Sequence, residues 1–370
     1  MQPDKMLESL VAFPTVAETS NGALIDFIRQ YLARYKVTAQ VIAGPDRDRF
    51  NLFASIGPAD TPGYILSGHL DVVPAQEPEW RADPFILRRE NGCLIGRGAV
   101  DMKGYVAAVL SAVPRLVEMD LKQPVHIALS YDEEVGCRGV PYLIDKIPSL
   151  CAPPVGCFVG EPSGMVPVLR HKGKATLALS ARGASGHSSR PELGKNAIHA
   201  LLPILGLAAA LPEELERSGR RHDAFVPPHS TVQIGVIEGG QSVNIIPDHA
   251  RALVEARAVP GENPKDVLAT LFAMAEADQA LSAEISASYP ALDLDGGSDL
   301  ARFAGDLTGA TPIEAVSYGT EAGLFQQAGI PAIVCGPGDI KRAHKPEEFI
   351  TLGELHAARD FVLRLGQRLC

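Results

Sequence analysis

In the stretch "YILSGHLDVVP", an apolar run from Tyr64 is broken by His69 and Asp71, two residues apart. Side chains two apart on a strand share a face, so this imidazole and this carboxylate point the same way. The pattern recurs. Asp101 in "GRGAVDMKG", Glu133 and Glu134 in "LSYDEEVG", and Glu161 in "FVGEPSG" all follow apolar residues, and His344 stands in "KRAHKPEE" far along the chain. Imidazole nitrogens and carboxylate oxygens are the donor set of borderline divalent cations such as Zn²⁺. Brought together, they could hold a pair of such ions, and a neighbouring free carboxylate could move protons.

Each of these residues also has an ordinary structural reading. A single His at a strand end is more often hydrogen-bonded than metal-bound, "DEE" is more often a solvated turn, and Asp101 could cap the helix that follows it. The case rests on recurrence. Acids delivered repeatedly from apolar context to one region are costly to bury unless something compensates their charge.

The elements that position these groups alternate. Helices over Met6–Tyr35, interrupted near Pro14 and with Asn21 as a candidate N-cap, precede strands at "VTAQVIAG", "NLFASIG" and "YILSGHLDVV". A helix from Lys103 and strands at "HIALSYDEE" and "GCFVGEP" follow, which is the pattern of an α/β sheet. In such sheets the carboxyl ends of the strands converge on the ligand crevice. After Arg170 the order becomes β-α-β-β-α-β, that of a ferredoxin-like unit, and after Asp293 the α/β pattern resumes. The expected organisation is an α/β domain over 1–173 and 294–370 with a second α+β domain over 174–293 inserted in it.

Length supports two domains, since 370 residues exceed one typical core. A formal net charge of −10 argues against nucleic acid and anionic membrane surfaces, which attract basic faces. The apolar run "AIHALLPILGLAAAL" is too short to span a bilayer. No cysteine pair has C-x-x-C spacing and the first residues lack an apolar leader, so reduced thiols in a cytoplasmic protein are expected. "GRGAVDMKG" is not a phosphate loop, because an acid stands where phosphate would sit.

Taken together and in order, "SGHLDVVP", "GRGAVDMKG", "SYDEEVG", "GEPS" and "AHKPEE" resemble the aminoacylase and carboxypeptidase G family of dinuclear zinc hydrolases. That family includes succinyl-diaminopimelate desuccinylases and acetylornithine deacetylases. "LSYDEEVGCRGVPYLI" and "YGTEAG" resemble the deacetylase branch. The resemblance implies a zinc-exopeptidase-like α/β/α catalytic domain with an inserted ferredoxin-like lid domain through which the protein forms a homodimer. It implies two divalent metal ions, zinc ahead of cobalt. His69 and Glu161 would hold one, Glu134 and His344 the other, and Asp101 would bridge them beside a cis peptide to Met102. Asp71 would orient the imidazole of His69. Glu133 would be the general base for a water activated by the metals, and His187 in "GASGHSSRP" would enter the partner subunit's site.

The same resemblance implies a small N-acylated amino acid as substrate. Asn244 in "QSVNIIP" and Arg257 in "VEARAVPG" match residues that bind its carboxylate, and Gly319 and Thr320 in "SYGTEAG" match a loop around it. Glu321 departs from the Ser or Asp of the desuccinylase relatives. It is expected to meet the side-chain ammonium of a diamino acid, with a helix N-terminal acid as its ordinary reading. Acetylcitrulline, succinyl-diaminopimelate or a broad range of acyl amino acids are the alternative substrates. A metal-free binding protein on the same scaffold is the alternative of another class; it would lack a ligand or Glu133, and none is missing here.

Overall fold

A six-stranded mixed sheet organises the part of the chain that carries the acids and imidazoles. The computed structural model describes residues 1–45, 48–58 and 60–370. The strands lie in the order Ala39–Ala43, Phe50–Ile56, Val125–Ser130, Tyr64–His69, Gly156–Pro162, Ala332–Gly336. The last four run parallel, and the Phe50–Ile56 strand turns the edge antiparallel. Tyr64–His69 and Val125–Ser130 are buried at every position, which explains why they are mostly apolar without strict alternation.

The helix Lys103–Leu116 lies against the central strands, flanked by the helices Pro3–Val11 and Leu352–Arg368. It is buried on nearly all sides, as a helix apolar all round must be, and it contains Pro114 in its last turn. Gly160 permits its close approach: a Cβ there would stand 2.1 Å from the Tyr105 ring. The Leu352–Arg368 helix begins with a capping box between Thr351 and Glu354. Asn21 stands at the N-cap position of Gly22–Ala33 but makes no cap bond; its amide instead exchanges hydrogen bonds with the backbone of Phe50. A small antiparallel sheet of Arg88–Glu90, Cys93–Ile95 and Phe349–Thr351 was not foreseen, its strands being too short to show a period.

The described residues divide into two compact units. One comprises Met1–Arg170, Leu292–Glu314 and Thr320–Cys370, and the other His171–Ala291 and Ala315–Gly319. The second unit is an antiparallel sheet in the order Thr231–Gly239, His249–Ala258, Gly173–Arg182, Leu281–Tyr289, with the helices Ala197–Ser218 and Ala269–Glu276. Gly173–Arg182 alternates buried and half-buried residues, so one of its faces is packed.

The apolar run in this unit extends into a longer helix than expected. Ala197–Ser218 has 22 residues and is, by length and composition, apolar enough to cross a membrane. Leu201, Ile204, Leu205 and Ala208 face the core of the unit, while Leu202 is 53% exposed.

Candidate metal centre

His69 closes its strand at the sheet's carboxyl edge, Glu133 and Glu134 follow Val125–Ser130, and Glu161 lies at the end of Gly156–Pro162. Asp101 sits in the turn before the Lys103–Leu116 helix, and the Asp101–Met102 peptide bond is cis. His344 comes in from a loop after the Ala332–Gly336 strand. The local folding rule of parallel sheets therefore brings together residues spread over most of the chain.

Their side chains meet closely. His69 Nε2 lies 3.1 Å from Asp101 Oδ1 and 3.6 Å from Glu161 Oε1. His344 Nε2 lies 3.2 Å from Asp101 Oδ2 and 3.0 Å from Glu134 Oε2. The two Asp101 oxygens thus face different imidazoles, the arrangement of a bridging carboxylate. Donor atoms of His69, Asp101 and Glu134 lie within 4.8 Å of one another, and so do those of His69, Glu133 and Glu161.

Electrostatics separates the groups. Burial pushes Glu161 well above the usual carboxylate range, and Asp101 adds to the shift. Burial, Glu134 and Glu321 raise Glu133 to about 8. Burial and Asp101 raise Glu134 to about 7. Burial alone would also raise Asp101, but hydrogen bonds to His344 and His69 hold it well below its ordinary value. Hydrogen bonds to Asp101 and Glu134 raise His344 to about 11. Acids thus outnumber imidazoles in a site whose carboxylates are buried, while His344 is half exposed at its rim. Its donor set is N and O at contact distance, and divalent cations would balance the charge. His69, Asp101, Glu134, Glu161 and His344 fit that role.

Asp71 works differently from the expectation. His69 Nδ1 donates to the main-chain oxygen of Asp71 at 2.9 Å, while the nearer carboxylate oxygen stands at 3.6 Å. The carboxylate instead accepts the main-chain N–H groups of Glu133 and Glu134, each at 3.1 Å. Asp71 orients the imidazole through its backbone and the "DEE" turn through its side chain. Cys137 donates its thiol to Glu133 Oε1 at 3.4 Å.

Glu321 also lies at the sheet's carboxyl edge, but it is 1% exposed. Its carboxylate accepts hydroxyls from Ser130 and Ser67 and is raised to about 7, chiefly by burial. Thr320 is buried, its hydroxyl accepting the Ala322 N–H.

In the second unit, His187 and Asn244 are neighbours. Both are exposed, a backbone bridge joins His187 to Ile245, and the Ser188 N–H donates to the Asn244 carbonyl. Arg257 is engaged by Glu255 through Nε at 2.7 Å and by the Tyr289 hydroxyl at 3.2 Å. Gly319 stands against the same tyrosine, leaving no room for a side chain.

Sequence reasoning overlooked Arg97 and Glu348, each 1% exposed and paired at 2.8 Å beside Asp101. Both lie in quoted motifs, yet nothing in "GRG" or "PEE" distinguishes a buried charge from a solvated one.

The model of peptidase family M20/M25/M40 matches residues 65–368. The chain is 31% identical over 379 residues to acetylornithine deacetylase of Proteus mirabilis (strain HI4320), covering 99% of this chain and 96% of that protein. It is 32% identical over 382 residues to acetylornithine deacetylase of Pasteurella multocida (strain Pm70), covering 99% and 97%. Among solved structures, the M20 family metallo-carboxypeptidase Sso-CP2 from Sulfolobus solfataricus superposes with a TM-score of 0.81 at 20% identity, covering 99% of both chains. Human carnosine dipeptidase 1 does so at 0.74 and 17%, covering 99% and 97%. These structural likenesses speak for the fold.

Proposed function

The chain belongs to peptidase family M20/M25/M40 and is a metal-dependent amidohydrolase; within that class, we propose that it hydrolyses N2-acetyl-L-ornithine to L-ornithine and acetate. The observation that carries this reading is full-length similarity to two acetylornithine deacetylases, at 31% and 32% identity. Such a reaction would place the protein in arginine biosynthesis.

In this reading His69 and Glu161 would hold one divalent ion and Glu134 and His344 the other, with Asp101 serving both. Bound there, zinc or cobalt would supply Lewis acidity to the amide carbonyl and a lowered pKa to water. Glu133 is the proton carrier. Its carboxylate takes a proton as water adds to the amide carbon, then gives it to the nitrogen as the C–N bond breaks. Burial favours the protonated form, and the charge of bound cations opposes that. The Asp71 side chain keeps the Glu133 main chain in place.

We place dimerisation in the second unit, with His187 serving the partner's site. Exposed Leu193, Leu202, Ile237 and Val243 supply apolar surface for such a contact. The test of substrate is a metal-supplemented panel of acetylornithine, acetylcitrulline, acetylmethionine and succinyl-diaminopimelate. Acetylornithine should give the highest kcat/KM; a clear preference for another member would replace this assignment.

A further inference from the structure

The Glu348 carboxylate accepts four hydrogen bonds, two on each oxygen. Oε1 accepts the main-chain N–H of Val100 at 2.9 Å and of Asp101 at 3.1 Å. Oε2 accepts the Gly98 N–H at 3.1 Å and Arg97 Nη1 at 2.8 Å. The Glu348 main-chain oxygen also accepts the Gly96 N–H at 2.9 Å. One side chain thus satisfies the turn that ends at Asp101. That turn needs Gly98 at φ +81°, where a Cβ would meet Val72 at 2.7 Å.

Arg97 extends the connection. Its Nη2 donates to the Pro74 carbonyl at 3.1 Å and to Glu77 at 3.2 Å, its Nη1 reaches the Lys345 carbonyl at 3.4 Å, and its guanidinium lies over the Trp80 ring. Pro74 continues the segment after His69 and Asp71, while Lys345 is next to His344. The guanidinium therefore joins three segments that carry His69, Asp101 and His344. A buried ion pair adds little net stability when desolvation is counted, so its value here lies in the geometry it imposes.

We propose that Glu348 and Arg97 are a positioning pair: they fix the main chain at Asp101 and the loop of His344, so that the Asp101 carboxylate faces His69 and His344 together. This rests on reading those residues as metal ligands. The pair acts through the ligands and touches no substrate.

Glu348→Gln tests it. The amide keeps the size but places an NH₂ against two N–H donors, whichever way it turns. In folded E348Q, metal affinity, measured by competition with a chromophoric chelator, should fall about 10- to 100-fold. The visible spectrum of the cobalt-loaded protein should change as well. Wild-type affinity and spectrum in E348Q would overturn the proposal, as would a lower melting temperature of the metal-free protein with affinity unchanged. If E348Q does not fold, Arg97→Lys decides: its ammonium cannot reach Glu348, Pro74 and Lys345 at once, and unchanged affinity again overturns the pair's role. A wild-type protein that takes up no metal overturns the metal-centre reading together with this one; wild-type uptake with an unaffected variant overturns this one alone.

Discussion

The carboxylate of Asp71 accepts the main-chain N–H of Glu133 at 3.1 Å, and its second oxygen does the same for Glu134. A residue expected to support an imidazole thus also holds the turn bearing a metal-ligand candidate and the candidate base. Asp71→Asn presents an NH₂ to one of those donors. Metal affinity or turnover should drop about 10- to 100-fold with the far-UV circular dichroism unchanged. Native values for both would dissociate Asp71 from the centre.

Glu133→Gln separates proton transfer from metal binding. The amide cannot accept the proton, so kcat should fall by about 10²- to 10⁴-fold while metal content by mass spectrometry and KM stay near wild type. A variant that loses its metal as well would make Glu133 a ligand.

Glu321 is sealed by Ser67 and Ser130. Glu321→Gln should therefore change kcat/KM for acetylornithine and acetylmethionine by the same factor. A loss confined to acetylornithine would restore the ammonium contact that the sequence led us to expect.

His126 gives a pH signature away from the centre. It is fully buried against Phe53, its Nδ1 shares a hydrogen bond with the Ser55 hydroxyl, and Nε2 has no partner among the described residues. Burial lowers its pKa to about 4, whereas the unfolded chain protonates near the ordinary 6.5. The neutral ring's contribution is complete above 6.5 and declines as pH falls toward 4, by about 3 kcal/mol in all. Unfolding free energies from urea titrations at pH 7 and pH 5 should differ by roughly 2 kcal/mol less in His126→Phe than in the unaltered chain. Equal pH dependence in both proteins would show that folding leaves the His126 pKa unshifted.

Chelation should abolish activity and lower the melting temperature, with zinc or cobalt restoring both, because a ligand bound only by the folded state adds stability by mass action. Full activity after exhaustive chelation would remove the metal from the reaction.

The candidate centre was legible because charged residues interrupt apolar runs repeatedly, and recurrence is what the ordinary reading of each residue taken singly does not explain. His69, Glu134 and Glu161 stand out as candidates that way, and their separate roles come from the family resemblance. The strand ends at His69, short of Asp71, so alternation does not reach that residue and cannot say whether its carbonyl or its carboxylate makes the contact. Asn21 has the composition of a cap, and only tertiary pairing with Phe50 shows where its amide goes. Glu347 and Glu348 are adjacent and alike in sequence, yet Glu347 meets Arg88 in the half-exposed periphery and Glu348 is buried beside Asp101. That difference arises from loop geometry, which has no period to read.

The order of the candidate ligands along the chain has a consequence for biosynthesis. His69, Asp101, Glu134 and Glu161 all precede the second unit, whereas His344, the strand Ala332–Gly336 and Glu348 follow it. A ribosome-bound chain that stops within the second unit can offer the first ligands but neither the last imidazole nor the parallel edge strand. The candidate ligands assigned to one ion are thus all in place before the second unit is made, whereas the full set of five requires a chain translated through residue 344.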